Sequence, residues 1–344
     1  MDHDDLSRLD RAFALGERGR GRTSPNPFVG CVLVAGQQVV GEGWTQPPPG
    51  PHAEAVALAQ AGEAARGATA YVTLEPCAHV GRTPPCTEAL IAAGVRRVVA
   101  ALADPNPIAG GGVDRLRAAG IAVDVDVAAD RARRVHEVFL HGLTHDRPFV
   151  IAKTASSIDG YIADHTGASR WITGPGAREA GHRLRAEVDA VLVGSGTALA
   201  DDPALTVRLP GWDGPQPRRV VLDRRGRLRG RPDLRLLTDR AADTVVLDSA
   251  TPEDALAALH ADGIRSVLVE GGAGVIGGFL ASGLIDRFEV HLAGVVLGQG
   301  LSPVAGRFDL ADAPRLELAS AVVCDDDVLV TAYPRRADAD EPQG

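Results

Sequence analysis

The feature that most constrains this chain is a set of four side chains carried by two short segments. Residues 51–54 read PHAE and residues 71–86 read YVTLEPCAHVGRTPPC. They contain one imidazole (His52), two thiols (Cys77 and Cys86) and one carboxylate (Glu54). Imidazole and thiolate are the usual ligands of zinc, and a catalytic zinc site keeps its fourth position open for water. The sequence therefore predicts a fold that brings the two segments together around one zinc ion.

Local patterns place these side chains where strands and helices meet. The run HAEAVALAQAG is typical of a helix, with His52 and Glu54 in its first turn. Residues 68–74 read as a strand, Cys77 follows in a loop, and a Pro-Pro pair favours a helix that begins near Cys86. Helix N-termini favour thiolate over thiol. A buried cysteine is more often a small core residue than a ligand, but three candidate ligands at such junctions favour a metal site.

The same motifs indicate a class of chemistry. An H-x-E motif followed by a proline–cysteine pair is typical of zinc nucleobase deaminases, although those carry two residues between their cysteines and this chain carries eight. A structural site would need a fourth protein ligand, and His79 stands so close to Cys77 that we expect it to point elsewhere. Zinc lowers the pKa of water toward neutrality, and Glu54 can pass a proton to the ring nitrogen and the departing ammonia. Asn26, between two prolines, is either a contact to the base or a turn residue.

Length and charge limit the classes of function. A chain of 344 residues is long enough for two domains. Its net charge of −9 argues against a general affinity for nucleic acids, and no apolar run approaches the roughly 20 residues that span a bilayer. The acidic, polar start MDHDDLSRLDR reads neither as a secretory signal nor as a transit peptide. We therefore expect a cytoplasmic protein without nucleic-acid or membrane partners.

The order of elements predicts the fold class. Strands alternate with helices through the first 140 residues, which is typical of a three-layer α/β sheet. A polar segment at 144–148 marks the expected boundary. Beyond it, residues 149–155, 190–194, 219–223, 234–238, 244–248 and 266–270 read as strands, with closing strands after residue 287. Gly272, Gly274 and Gly277 form a G-x-G-x-x-G motif that can hold a pyrophosphate or pack a helix closely on the sheet; no Rossmann unit follows it.

Several runs taken together resemble one family. PNPFVGCVLV, PHAEAVAL, YVTLEPCAHVGRTPPC and ADPNP resemble the deaminase half of the bifunctional riboflavin-biosynthesis deaminase–reductases, and ADDPALTVR continues the resemblance in the second half. Ala78 and Val80 stand where the family often has serine and histidine. The resemblance implies a cytidine-deaminase-like three-layer αβα domain at 1–145 and a dihydrofolate-reductase-like α/β domain at 146–335. A disordered tail is expected at 336–344.

The resemblance implies two successive reactions on a small molecule. The first domain, with one zinc ion, would deaminate a diaminopyrimidinone ribosylamino phosphate by hydrolysis, using Glu54. The second would reduce the ribosyl group of the product to ribityl with NADPH, and Lys153 would assist proton delivery. The hydride chemistry belongs to the cofactor. Homo-oligomers that form through the reductase domain are also expected.

The resemblance also implies the individual site residues. The metal ligands are His52, Cys77 and Cys86, and the catalytic residues are Glu54 and Lys153. The cofactor-binding residues are Ala155, Trp171, Thr197, Asp201, Gly272, Ala273, Gly274, Val275, Ile276, Gly277 and Gly278. The substrate-binding residues are Asn26, Ser169, Arg185, Leu205, Arg208 and Glu270. Arg185 and Arg208 would hold the ribose phosphate by forked hydrogen bonds, and Arg224 stands at a cofactor contact where some relatives have a small polar residue.

Two other functions stay open from the sequence. One is a nucleic-acid base deaminase with a C-terminal targeting domain; the acidic balance and the long loop between the cysteines count against it. The other is a non-enzymatic regulator that binds zinc and a nucleotide; the intact set of His52, Glu54, Cys77 and Cys86 counts against it. Any one of the arginines, taken alone, is more often part of a surface salt bridge.

Overall fold

The computed structural model describes residues 3–79, 84–248 and 251–335. The predicted tail at 336–344 and the departure at Val80 lie outside the described residues. The chain divides into two units, Met1–Thr144 and His145–Gly344, and each has its own hydrophobic core. No helix among the described residues is long and apolar enough to cross a membrane.

The first unit is built on a mixed sheet. Its described strands are β1 (Gly30–Ala35), β2 (Gln38–Trp44), β3 (Thr69–Val72), β4 (Arg97–Ala100) and β5 (Ala122–Asp124), in the order β2-β1-β3-β4-β5. β1 pairs antiparallel with β2 and β3, whereas β3, β4 and β5 run parallel. The helices are α1 (His3–Gly16), α2 (Ala53–Ala61), α3 (Cys86–Ala92), α4 (Gly112–Ala118), α5 (Ala129–Val135) and α6 (Glu137–Gly142). The predicted alternation of strands and helices is confirmed here.

Close contacts at two glycines place helices on both faces of this sheet. A Cβ on Gly30 would lie 1.8 Å from the carbonyl oxygen of Ala12 in α1. A Cβ on Gly43 would lie 2.1 Å from the carbonyl oxygen of Ala53 in α2. Gly43 pairs with Cys31, the neighbour of Gly30, and successive residues of a strand point to opposite faces. Because α1 and α2 therefore lie on opposite faces, the predicted three-layer arrangement is confirmed.

The second unit is built on a larger sheet. Its described strands are β6 (Phe149–Ser157), β7 (Ala163–Asp164), β8 (Ala190–Gly194), β9 (Arg218–Leu222), β10 (Thr244–Leu247), β11 (Ser266–Val269), β12 (Arg287–Ala293), β13 (Gly300–Leu301), β14 (Leu316–Cys324) and β15 (Asp327–Pro334). The main sheet has the order β10-β9-β8-β11-β6-β12-β15-β14, while β7 pairs with β13. The helices are α7 (Pro175–Glu187), α8 (Ser195–Asp201), α9 (Arg235–Thr238), α10 (Pro252–Ala261) and α11 (Ala273–Ala281).

Parallel pairing sets where the loops of this unit gather. Six neighbouring strands of the main sheet run parallel, namely β10, β9, β8, β11, β6 and β12. At the other end of the described sheet, β15 pairs antiparallel with both β12 and β14. β8 and β11 are buried along their whole length, as expected for parallel strands covered on both faces. The segments that follow β8, β9 and β11 therefore leave from the same edge of the sheet.

One local prediction in this unit is wrong, and one helix was not predicted. Residues 234–238 were expected to form a strand, but Arg235–Thr238 is a helix whose amides at Thr238 and Asp239 donate to carbonyls four residues earlier. Short apolar runs fit a strand or a buried helical turn equally well, and here Leu234 and Leu236 are both fully buried by the turn. The helix α8, which carries Thr197, was not expected from the pattern.

Candidate active sites

The three predicted metal ligands meet in the first unit. His52, Cys77 and Cys86 offer ligand atoms that all lie within 4.8 Å of one another. His52 Nδ1 lies 3.3 Å from Cys86 Sγ and 3.7 Å from Cys77 Sγ. Ligands at zinc's usual bond lengths of roughly 2.0 Å for nitrogen and 2.3 Å for sulfur lie about 3.5 Å apart around a tetrahedral ion. The spacing and the donor set therefore fit zinc, with three protein ligands and one further position.

Secondary structure holds each of these ligands in place. His52 is the N-cap residue of α2, and Cys86 is the first residue of α3. The backbone N–H of Cys86 donates to Cys77 Sγ at 3.4 Å, and the Thr87 amide and hydroxyl both donate to the Cys77 carbonyl. A contact with Cys86 and a hydrogen bond with His52 lower the pKa of the Cys77 thiol to about 4, whereas the same contact raises the pKa of Cys86. These contacts favour the thiolate form of Cys77, which is the form that binds metal.

Glu54 lies beside this cluster in a closed environment. It is the second residue of α2 and its residue surface is 4% exposed. Burial raises the pKa of its carboxyl, and a carboxyl with a raised pKa can both take up and release a proton near neutrality. Glu54, His52 and Cys77 all line a cavity of about 420 Å³. The cavity is large enough to hold a small heterocyclic ligand next to the three ligand atoms.

The cavity wall includes residues that the sequence analysis considered and others that it did not single out. Asn26 and His79 line it, so His79 faces the cavity although it is not among the three clustered ligand atoms. Asp104 and Asn106 also line it, and the backbone N–H of Asn106 donates to Asp104 Oδ1 at 2.9 Å. Glu75 ties this loop down, because its carboxylate accepts from the amides of Asp104 and Val113. The ADPNP run was the available signal for this loop, but nothing local revealed that it reaches the cavity.

A second cluster of charged side chains lies in the second unit. Arg185, on α7, donates from Nε and Nη2 to the two oxygens of Glu270 at 2.6 Å each, and from Nη1 to the Thr206 carbonyl at 3.1 Å. Lys153, on β6, is half-buried near the pair: removal from water lowers the pKa of its ammonium group, while Glu270 opposes the shift. Arg208 also reaches Thr206, at 3.3 Å from its hydroxyl. The structure thus brings together four of the predicted reductase residues: Lys153, Arg185, Arg208 and Glu270.

The geometry changes one expectation about these arginines. Arg185 was expected to hold a phosphate with its fork, but Glu270 and Thr206 occupy that fork in the structure. A guanidinium pairs with carboxylates as well as with phosphates in this forked manner. Arg185 and Glu270 are far apart in the sequence.

Leu205, a predicted substrate residue, is fully buried, with a φ of 50° that is uncommon for a leucine.

Several predicted cofactor residues lie near the edge of the main sheet from which the segments after β8 and β11 leave. A Cβ on Gly272 would lie 3.1 Å from Thr197 Oγ1, so the glycine loop touches the first turn of α8. Ala155 lies on β6, and the exposed residue Asp201 ends α8, where Arg170 donates to its carbonyl. Trp171 is 72% exposed and stacks on Arg178, while Ser169 precedes it in the same segment.

The glycine loop serves packing as well as ligand access. A Cβ on Gly277 would lie 1.8 Å from the Ala305 carbonyl oxygen, so close backbone contact explains this glycine. Ile276 and Ala273 are buried, and Ile276 belongs to the hydrophobic core. A Cβ on Gly274 would meet nothing within 4 Å, so this residue leaves open space where a ligand can approach the backbone. Val275 and Gly278 are half-buried. The cofactor role of the loop stays a prediction, best supported at Gly272 and Gly274.

Comparisons with known proteins agree across both units. Residues 3–102 match the model of the cytidine and deoxycytidylate deaminase zinc-binding region, and residues 148–330 match the RibD C-terminal domain. The riboflavin biosynthesis protein RibD of Aquifex aeolicus is 42% identical over 326 residues, covering 87% of this chain and 89% of that protein. RibD of Corynebacterium ammoniagenes is 45% identical over 305 residues, covering 86% and 88%.

Solved structures give the same result. Acinetobacter baumannii RibD superposes with a TM-score of 0.86 at 39% identity, covering 96% of this chain and 99% of that one. A diaminohydroxyphosphoribosylaminopyrimidine deaminase/5-amino-6-(5-phosphoribosylamino)uracil reductase from Thermotoga maritima superposes with a TM-score of 0.87 at 37% identity, covering 97% and 99%. The identities and the coverage hold for both halves, so the chain belongs to the RibD family of riboflavin biosynthesis proteins.

Proposed function

We propose that this chain is a bifunctional enzyme of riboflavin biosynthesis. The first unit deaminates a diaminopyrimidinone ribosylamino phosphate by hydrolysis, and the second reduces the ribosyl group of the product to ribityl with NADPH. Relatives that carry the family name match the chain along most of its length, including both halves. This continuous match disfavours a base deaminase with a separate targeting domain. It equally disfavours a regulator, because the zinc-ligand set and its neighbouring glutamate are intact.

The observation that carries the deaminase assignment is the position of Glu54. Its buried carboxyl lies on the wall of the same cavity as His52 and Cys77, two residues along α2 from His52. Zinc held by His52, Cys77 and Cys86 would lower the pKa of a water molecule and so supply the nucleophile. Glu54 would take one proton from the attacking water and deliver it to the ring nitrogen, and would then carry the second proton of that water to the amino group that leaves as ammonia. Asn26, on the wall of the same cavity, would hydrogen-bond the base.

The reductase assignment is supported by the buried cluster in the second unit. NADPH, when bound, supplies the hydride. Lys153 would donate a proton to the sugar oxygen as the ring opens, because its burial makes the ammonium a stronger acid than an exposed lysine. Arg208 is more exposed than Arg185, and its guanidinium hydrogen-bonds Thr206 rather than a carboxylate, so it is the better candidate for the phosphate. Arg185 would hold Glu270 in position for the sugar hydroxyls.

The expected self-association has a candidate surface. β14 lies at the edge of the main sheet, and its apolar side chains are exposed: Leu318 is 70%, Val322 56% and Val323 75% exposed. An exposed apolar edge strand is a template for pairing with another chain. We propose that a second copy of this chain covers β14. Absence of nucleic-acid partners and a cytoplasmic location stay predictions from the sequence.

One experiment tests both activities together. Purified, zinc-loaded protein is given the pyrimidine ribosylamino phosphate, and ammonia release and NADPH absorbance are followed in the same cuvette. Ammonia release followed by NADPH oxidation is expected. Ammonia release without NADPH oxidation would remove the reductase assignment. If the protein releases no ammonia from the original substrate but oxidises NADPH when it is given the deaminated substrate, the deaminase assignment would be removed.

A further inference from the structure

An exposed tryptophan of the second unit is held by an arginine. Trp171 lies in the segment between β7 and α7 and is 72% exposed, although tryptophan is on average a highly buried residue. The central guanidinium carbon of Arg178 lies 4.7 Å from the centroid of its ring. Since the tryptophan is so exposed, Arg178 covers one face of the indole and the opposite face is open to a ligand.

The guanidinium of Arg178 is itself fixed at both ends. Its backbone N–H, in the first turn of α7, donates to the Gly174 carbonyl at 3.2 Å. Its Nη1 donates to the Thr173 carbonyl at 2.7 Å, so the side chain folds back onto the segment that leads from Trp171 into the helix. An arginine held in this way presents a flat, charged surface on which an aromatic ring stacks.

Two aspartates attach the start of α7 to the sheet. Asp327, the first residue of β15, is 4% exposed, and its Oδ2 accepts from the Gly174 N–H at 2.7 Å. Asp325 Oδ2 accepts from the Gly176 N–H at 3.1 Å. Negative charges at the N-terminus of a helix are stabilising. These contacts give the first turn of α7, and with it Arg178, a defined position relative to the sheet.

The segment that carries the tryptophan is also attached to α8. Arg170, the residue before Trp171, donates from Nη2 to the Asp201 carbonyl at 3.0 Å, at the end of that helix. The first turn of α8 contacts the glycine loop, because a Cβ on Gly272 would lie 3.1 Å from Thr197 Oγ1. The open face of the indole therefore belongs to the group of elements that surrounds the predicted cofactor loop. An aromatic face of this kind packs well against another flat ring.

We propose that Arg178 is a positioning residue for the reductase reaction. It holds the indole of Trp171 in the one orientation in which the open face packs against a flat ring of the dinucleotide cofactor. The inference rests on the proposed reductase function, in which Trp171 contacts the cofactor, and Arg178 acts through the tryptophan. Without the guanidinium beneath it, the exposed indole would be free to rotate, and cofactor binding would have to order it at a cost in affinity.

The test is a double-mutant cycle on cofactor binding by the full-length protein. NADPH is titrated by calorimetry into the wild type, Arg178→Met, Trp171→Ala and the protein with both substitutions. We expect Arg178→Met to weaken NADPH binding about three- to tenfold, the cost of ordering one free side chain. Trp171→Ala should weaken it about tenfold or more through lost stacking. The double variant should bind like Trp171→Ala, because Arg178 has no effect once the indole is absent.

Indole motion gives a readout that a change in stability does not produce. The chain has three tryptophans, so with Trp44 and Trp212 replaced by phenylalanine the fluorescence anisotropy decay reports on Trp171 alone. We expect faster indole motion in Arg178→Met, and partial recovery in Arg178→Lys, which keeps the charge but lacks the flat surface. The matched control is Arg183→Met, at a 66% exposed side chain of the same helix. It should leave both NADPH affinity and indole motion unchanged.

The outcomes separate this inference from the function on which it rests. If Arg178→Met weakens NADPH binding equally with and without Trp171, or leaves it unchanged, the role of Arg178 is overturned while the reductase assignment stands. Unchanged NADPH affinity in Trp171→Ala overturns it as well. If the wild-type protein does not bind NADPH, the reductase assignment and the inference are overturned together. Where thermal unfolding shows that Arg178→Met misfolds, Arg178→Lys decides: wild-type affinity and indole motion in that variant would overturn the role.

Discussion

Arg185 and Glu270 form a two-point ion pair inside the second unit, with Arg185 Nε and Nη2 each 2.6 Å from a different carboxylate oxygen. Their side chains are 16% and 11% exposed. Arg185 lies on α7, whereas Glu270 follows β11, so the pair joins a helix to the end of a central strand. A pair so little exposed is costly to break, because the remaining partner keeps an uncompensated charge in a poorly hydrated place.

Replacing Glu270 by glutamine should therefore destabilise the protein measurably. We expect the free energy of unfolding to fall by about 3–5 kcal/mol, the usual cost of breaking a buried ion pair. Urea unfolding followed by circular dichroism measures it. The matched control is Glu179→Gln, whose partner Arg183 lies in a pair with side chains 50% and 66% exposed; its loss should be below about 1 kcal/mol. Equal effects of the two substitutions would contradict the structural role of the buried pair.

Replacing Cys86 by serine should lower the zinc content. A serine hydroxyl at the start of α3 lacks the thiolate that completes the three-ligand set, so we expect well below one zinc per chain after gel filtration, compared with about one in the wild type. Mass spectrometry of the metal content gives the ratio. Cys324→Ser, a half-buried cysteine of the second unit, is the control and should keep its zinc. An unchanged metal content in Cys86→Ser would remove this residue from the ligand set.

Replacing Glu54 by glutamine should abolish deamination while keeping the metal. Glutamine has nearly the same shape but cannot carry the proton, so the rate of ammonia release should fall by about 10²- to 10⁴-fold, the usual contribution of a positioned acid–base group. Zinc content and reduction of the deaminated substrate should stay within about twofold of the wild type. Glu63→Gln, an exposed glutamate just beyond α2, serves as the control. Retained ammonia release in Glu54→Gln would exclude Glu54 from proton transfer.

The buried His136 should make the protein less stable in acid. It is 1% exposed, with its ring 5.6 Å from that of Phe28, and burial lowers its pKa from 6.5 to about 4. Above pH 6.5 the imidazole is neutral in both states. Between pH 6.5 and about 4 the unfolded chain binds a proton that the folded protein does not, so this residue costs up to about 3 kcal/mol of stability as the pH falls.

His136→Leu should therefore flatten the acid side of the stability profile. Urea unfolding at a series of pH values between 7 and 4 should show a smaller loss in this variant than in the wild type. His165→Leu, at an exposed position of the second unit, should leave the profile unchanged. Any zinc lost in acid affects all three proteins alike, so the comparison isolates the histidine. Parallel profiles for wild type and His136→Leu would show that this imidazole does not titrate differently on folding.

A charge on β14 should disrupt self-association. Val323 is 75% exposed on the edge strand, and a glutamate there would have to be desolvated in any interface that covers it. Light scattering after gel filtration should give a multiple of the chain mass for the wild type and a single chain for Val323→Glu. Ile108→Glu, equally exposed at 73% but in the first unit, should keep the wild-type mass. A wild-type protein of single-chain mass would refute the proposed interface.

Much of the deaminase site could be predicted from the sequence, because its parts are local. The first turn of a helix holds His52 and Glu54 two residues apart, and α3 starts at Cys86 after two prolines. Residue type and spacing carry this information, so neighbours along the chain suffice. The strand expected at 234–238 shows the limit: Leu234 and Leu236 are apolar in either conformation, and only burial by the rest of the unit selects the helix.

The remaining features depend on contacts between residues that are distant in the sequence. The pairing of Arg185 with Glu270 spans 85 residues, and the Arg227–Ser195 hydrogen bond spans 32. No pattern indicates that Arg185 uses its fork on a carboxylate rather than on a phosphate, or that Gly277 is required by the Ala305 backbone. The sequence by itself determined the type of chemistry, because zinc ligands and an adjacent carboxylate are readable from residue types. Only the tertiary structure decided which charges meet, because parallel strands bring the segments after β8, β9 and β11 to one edge.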